Sequence, residues 1–312
     1  MKKTSISALF FAAVLCLSLC SACQRTAPPP DASVPPPDIS VPDSAISVPD
    51  PFSTPQPAPP AGSQPVSEPT PGPDPIPEPE PDAPRNTKLY ILMYHHFVPE
   101  GVECNTWMLT DTRFREDLQW LADHGYTTVL PSQLIAGTPL PERAVMLTLD
   151  DGYASNYQLA YPLLQEFQAK AVISLITHYT QDGHPSFLTW DMCSEMAQSG
   201  LVELGSHTHA CHDNEEHGIK RWKGETQTAY EARVLPDLQT SIDLISEHVG
   251  VSPQFFAYPN GKVESWAKDF IQEHFAVTVT TRHGAADLAN GLYSLPRCNV
   301  SMGVPLDKIL PS

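Results

Sequence analysis

The apolar pattern of residues 87–312 predicts an α/β fold, a distorted or incomplete (β/α)7–8 barrel. Three observations carry that expectation. Short β-branched runs alternate with longer amphipathic ones along the whole stretch. No neighbouring runs are joined by a hairpin signal, so the strands should be parallel with helical crossovers. Polar, chemistry-bearing residues stand at the ends of the runs, where a parallel barrel assembles its site. An open doubly wound sheet is the runner-up.

The elements follow in order. LYILMYH (89–95) reads as a buried strand. TRFREDLQWLADHG puts Phe114, Leu118 and Leu121 at helical spacing and stops at Gly125. TTVL (127–130) is a short segment and AVMLTLD (144–150) the next strand. NYQLAYPLLQEFQ reads as helical despite Pro162, and leads to AVISLI (171–176). TWDMCSEMAQSG is a short helix with an acid in its first turn and a terminal glycine. VELGS (202–206) follows, then a long helix around 226–249. FFAYP (255–259), a helix near 263–274, FAVTVTT (275–281) and YSLPRCNV (293–300) complete seven or eight units.

The chain before this domain is different material. MKKTSISALFFAAVLCLSLCSAC has a basic start, an apolar run shorter than a membrane span needs, and small residues near its end. That is the layout of a bacterial export signal over residues 1–23. CSAC resembles a lipoprotein processing site, which would make Cys23 the lipid-modified first residue of the mature chain. The protein is then exported and anchored to the outer face of the cell membrane; an ordinary secretory signal is the alternative. Residues 24–86 hold 22 of the 34 prolines, with aspartate and glutamate as nearly the only charges. Such a segment cannot bury a core and is expected to be a disordered linker. At about 3.1 Å per residue it would reach on the order of 150–190 Å. A net charge of −18 argues against nucleic acid as a partner. Cys104, Cys193, Cys211 and Cys298 match no zinc-ribbon or redox spacing and read as buried thiols or unassignable disulfides.

The chemistry concentrates in two places. VMLTLDDGYASNY ends a buried strand on Asp150 and Asp151, and adjacent carboxylates there need a compensating charge or a shared proton. HTHACHDNEEH, after VELGS, offers His207, His209, His212 and His217. One carboxylate and two imidazoles with an open position suit a catalytic Zn2+ or another divalent cation. One aspartate can then ligate while the other accepts a proton from the activated water.

These stretches resemble the polysaccharide deacetylases, carbohydrate esterase family 4, over roughly residues 88–300. TLDDG is similar to the family's T-F-D-D-G motif, with leucine for phenylalanine. The match implies Asp150 as general base and Asp151 as metal ligand. HTHACH resembles the second motif with one residue added, which favours His207 and His212 as ligands; His209 ranks second and Cys211 third. In FFAYPNG, Ala257 stands where the family's third motif has arginine, and Asn260 where it has tyrosine. Asn260 can still offer its backbone N–H to an oxyanion. Arg297, on the last strand, is the candidate to replace the missing arginine beside Asp150. The late leucine–histidine motif is absent. LMYHHF resembles the subgroup in which the first strand supplies that histidine, a subgroup that includes poly-β-1,6-N-acetylglucosamine deacetylases. His95 is then the acid that protonates the leaving amine, and His96 the weaker candidate.

The resemblance implies a metal-dependent hydrolase, a polysaccharide N-deacetylase, taking N-acetyl groups from a cell-surface or extracellular glycan that contains N-acetylglucosamine. The expected partners are an N-acetylated polysaccharide and, through the anchor, a membrane; no motif sets the oligomeric state, and a monomer is the default expectation. A catalytically inactive wall-binding lipoprotein, or an O-acetyl (xylan-type) esterase on the same fold, are the alternatives. Trp190 and Trp266 read as helix packing before sugar platforms, and the RHGAAD loop with His283 as peripheral.

Overall fold

The computed structural model describes residues 86–213 and 217–312. The expected export signal with Cys23, and the proline-rich stretch through residue 85, lie outside the described residues. Seven parallel strands close on themselves: β1 (Lys88–Tyr94), β2 (Ala144–Leu149), β3 (Ala171–Leu175), β4 (Val202–Ser206), β5 (Phe255–Ala257), β6 (Val277–His283) and β7 (Leu295–Asn299). Each pairs with its successor in the chain, and β7 returns to β1 through Leu92–Cys298 and Met93–Asn299. The barrel is therefore closed, with seven staves, and the open-sheet alternative falls.

The eighth unit is missing for a local reason. TTVL yields only the two-residue strand Thr127–Thr128, which pairs with the foot of β2 and never reaches the rim. Regular β-α alternation fails once more between β6 and β7. Among the described residues, that connection carries only a two-residue strand antiparallel to β1 (Ala286–Asp287) and a 3-10 turn. Two seams distort the barrel. β4 and β5 share a single residue pair, Ser206–Phe256, and the β6–β7 register slips between Leu295 and Arg297.

Alternation along each strand sorts the core. Leu89, Ile91, Ala144, Met146, Val172, Phe255, Ala257, Val277, Val279 and Leu295 cluster together as the barrel's filling. Leu92, Val145, Leu147, Leu149, Ile173 and Leu204 take the opposite parity and pack against the surrounding helices. Gly205 has the inward parity, and a side chain is excluded there because a Cβ would stand 2.8 Å from the Phe255 carbonyl oxygen. The helices follow the predicted spacing: α1 (Asp111–Asp123), α2 (Tyr161–Phe167), α3 (Trp190–Gln198), α4 (Gln227–Val249) and α5 (Lys268–His274). Phe114, Leu118 and Leu121 are the buried face of α1, and the Thr110 hydroxyl accepts from Arg113 N–H to cap it. Pro162 is accommodated because α2 is entered through a π-turn, Asn156–Ala160, so the proline falls in the first turn of the α-helix. Among the described residues no helix is long and apolar enough to cross a membrane. The four cysteines of the domain are free thiols, three of them buried.

Candidate active site

Inward parity, continued one step past each strand, delivers the site. The Leu89–Ile91–Met93 series leads to His95, Ala144–Met146–Thr148 to Asp150, and Gly205 to His207; Arg297 lies on the inward side of β7 itself. All lie at the C-terminal end of a parallel barrel. His95, Asp150, Asp151, His207, His212, Asn260 and Arg297 line one cavity of about 300 Å3. These are all the expected site residues within the described part of the chain.

Asp150 is 2 % exposed and gripped by Arg297. Nη1 donates to Oδ1 at 2.8 Å and Nη2 to Oδ2 at 2.7 Å, a bidentate fork. The guanidinium is itself fixed, Nε by the Thr280 carbonyl at 2.9 Å and Nη1 by the Thr148 hydroxyl at 3.0 Å. The β6–β7 register shifts just before Arg297, whose side chain meets Asp150. Burial alone would raise the Asp150 pKa; Arg297, with His207 and His95 behind it, outweighs this and holds the carboxyl well below the usual range. Ala257 is fully buried barrel filling, so the arginine absent at that position has its counterpart on the last strand.

Asp151 takes a left-handed backbone, φ +74°, followed by Gly152 at φ +79°. The turn lifts the second carboxylate away from Arg297 and over the rim. Its Oδ1 is buried without a hydrogen-bond partner, and lies 3.6 Å from Nε2 of both His207 and His212. Burial, then repulsion from Asp150, push its pKa to about 7. The orphaned oxygen tests the donor set for a cation. Ligands about 2.0–2.2 Å from a tetrahedral divalent ion stand about 3.4 Å from each other. The three ligand atoms here lie within 4.8 Å of one another, so Asp151, His207 and His212 could hold such an ion with little movement.

Both imidazoles are aimed by their other nitrogen. His207 Nδ1 donates to the Ala257 carbonyl at 2.7 Å, and burial pushes its pKa to about 3, leaving Nε2 a free lone pair. His212 Nδ1 faces Asp213 Oδ1 at 3.5 Å, and Asp213 Oδ2 lies 3.2 Å from His178 Nε2. His212 sits where the one-residue extension requires, because Thr208, at φ +79°, turns the loop and its hydroxyl accepts His212 N–H at 3.0 Å. His209 points elsewhere, sharing a 3.0 Å hydrogen bond with Thr177. Cys211 is buried in the core beneath α4, its thiol pushed up to about 12 by burial. Neither is placed to ligate.

His95 opens on the cavity, and burial pushes it down to about 4 against the pull of Asp150. His96 also lines the cavity, yet its Nδ1 is held by Ser155 Oγ at 2.8 Å and its ring packs 4.7 Å from Tyr153. Asn260 lies in the Pro259–Gly261 turn at φ +53°. Trp190 stacks on His248 and Trp266 packs against Tyr230, so neither enters the cavity. Three contributors carry no sequence signal of their own: Trp107, Tyr153 and Asp213. Only Tyr153, directly after the Asp-Asp-Gly, could have been suspected from position.

The barrel and its site have counterparts. A family model for polysaccharide deacetylase matches residues 137–277. YxkH of Bacillus subtilis (strain 168), named as a candidate polysaccharide deacetylase, is 32 % identical over 225 residues, 70 % of this chain and 73 % of its own. The chain belongs to the polysaccharide deacetylase family. Another family relative, the poly-beta-1,6-N-acetyl-D-glucosamine N-deacetylase of Escherichia coli (strain K12), is 28 % identical over 239 residues. That match takes in 66 % of this chain but 35 % of the relative, so the chain spans about a third of its length. Among solved polysaccharide deacetylases and their kin, Streptococcus pyogenes deacetylase PplD, determined in complex with acetate, superposes with a TM-score of 0.60. It is 26 % identical and covers 72 % of this chain and 99 % of its own.

Proposed function

We propose that the protein hydrolyses N-acetyl groups from a cell-surface or extracellular glycan containing N-acetylglucosamine, using a divalent cation, Zn2+ or a similar ion. The observation that carries this is the buried Asp151 Oδ1, partnerless and equidistant from two imidazole nitrogens, beside a second carboxylate that Arg297 keeps ionised. Asp151, His207 and His212 hold the ion. When bound, it supplies Lewis acidity to the acetyl carbonyl and lowers the pKa of water.

The protein's own groups do the rest. Asp150, ionised at neutral pH, accepts the proton of the attacking water. Arg297 fixes both its oxygens, so the base keeps one orientation. The backbone N–H of Asn260 is the donor assigned to the developing oxyanion. His95 rests neutral; negative charge building on the acetyl oxygen raises its proton affinity, so it takes up a proton from solvent and passes it to the departing nitrogen, while the proton that Asp150 took from water returns to solvent. Acetate and a free glucosamine unit leave. The likeness of LMYHHF and of the E. coli relative supports β-1,6-linked poly-N-acetylglucosamine as the glycan. Export, with Cys23 lipid-linked at the membrane's outer face, places a monomer among such polymers. The inactive wall-binding lipoprotein draws on two features, the absent arginine and the altered second motif; Arg297 on Asp150 and His212 beside Asp151 weigh against them in turn.

The test is acetate release from β-1,6-linked N-acetylglucosamine oligomers, with β-1,4-linked oligomers and acetylated xylan beside them. Release from the amide-bearing oligomers and not from xylan is the expected result. Release from xylan alone would make the protein an O-acetyl esterase.

A further inference from the structure

We propose that Trp107 forms a second sugar subsite, stacking on the residue next to the one being deacetylated and making the enzyme selective for chains over single sugars. The inference rests on the glycan reading above. A cavity of about 300 Å3 is at the small end of ligand pockets and has room for one acetylated ring, so a polymer's neighbouring residues must lie on the rim. Trp107 is the one lining residue with a large hydrophobic side chain left open, 49 % exposed. A single exposed apolar side chain needs no cover on its own account; what points to a ligand is its place on the rim of the reactive cavity, where the apolar C–H face of a pyranose has the shape to stack on it.

The position is built rather than incidental. His96–Val98 and Met108–Thr110 form a separate two-stranded parallel sheet beside the barrel. Its end ties Trp107 down. The Trp107 carbonyl accepts from His96 N–H at 3.2 Å, and its own N–H donates to Asn105 Oδ1 at 2.8 Å. The indole is thereby held 4.8 Å from the His95 ring, at 60° to it. A sugar stacked there sits next to the group assigned to the leaving amine. Asn105 and Met108 line the same edge and add a polar and a soft apolar contact. Tyr153, the other aromatic beside His96, already stacks on Phe187 and packs against the His96 ring, and is less exposed than Trp107.

The experiment compares kcat/KM for an N-acetylglucosamine pentamer with that for the monosaccharide in wild type, Trp107→Ala and Trp107→Phe. The expected result is a pentamer-to-monomer ratio that falls roughly tenfold in the alanine variant and is largely restored by phenylalanine, with an unchanged pH profile. An unchanged ratio, both substrates losing in proportion, would overturn the subsite and assign Trp107 to positioning His95. Equilibrium binding of the same pentamer to metal-free protein separates this from failure of the deacetylase reading. If wild type binds without turnover and Trp107→Ala weakens binding, the subsite stands and the activity falls. If the variant binds as wild type does, the subsite falls.

Discussion

Arg297 and Asp150 form a buried pair, and neither would be tolerable alone. Arg297→Met leaves a carboxylate in a dry site, at a cost of about 3–5 kcal/mol in stability. Chemical denaturation should show that loss, and acetate release should fall by more than about a hundredfold because the base is no longer aimed. Arg297→Lys restores charge without the fork and should recover stability better than rate. Asp213 acts one layer further out, through His212. Asp213→Ala should weaken Zn2+ binding about 10–100-fold, measured by titration of metal-free protein, while the helical circular-dichroism signal stays unchanged. The two aspartates at the end of a buried strand were legible in the sequence because that placement is expensive without a purpose. Arg297 was legible only as a candidate, through the adjacency of first and last staves that barrel closure imposes. Asp213 and Trp107 were not legible: one is an acid among acids in DNEEH, the other an aromatic in an aperiodic loop.

At the scale of elements, the β2–α2 turn decides whether the site exists. Two consecutive left-handed residues, Asp151 and Gly152, separate the jobs of the paired carboxylates by rotating one out of the strand. Gly152→Ala meets two obstacles: the positive φ, and Leu175 Cδ2 at 2.7 Å from the new Cβ. The expected loss is about 1–3 kcal/mol, read as a lowered melting temperature, with a parallel loss of metal affinity as Asp151 shifts. Strand order was legible because a parallel barrel repeats one period many times, and each repeat corroborates the others. Where the repeat breaks, the sequence was silent. TTVL has the composition of a stave, but only its first two residues form a strand. The β6–β7 connection has no amphipathic period to mark it, and no local pattern encodes the register shift just before Arg297.

In the whole molecule, metal and proton compete for the same carboxylate. With no cation, the Asp151 carboxyl titrates at about 7, raised by burial and by Asp150. His207, at about 3, is already neutral over the same range. A cation arriving below pH 7 must displace the Asp151 proton; above it, none is there to displace. Zn2+ affinity should therefore decline about tenfold per pH unit below about pH 7 and level off above. Calorimetry at pH 6 in two buffers of different ionisation enthalpy should register about one proton released by Asp151, a contribution that is nearly gone by pH 8. Bound metal should also raise the melting temperature, by an amount that grows with the logarithm of the free metal concentration above Kd. The central claim, that one aspartate ligates and its neighbour works as base, is tested most directly by measuring metal stoichiometry and acetate release together. The measurement is made on the full chain as wild type, Asp150→Asn and His207→Ala. The account predicts one divalent ion and turnover in wild type, the ion without turnover in Asp150→Asn, and neither in His207→Ala. A wild-type protein that binds no divalent ion under metal-replete conditions, or an Asp150→Asn variant that releases acetate at the wild-type rate, would contradict it.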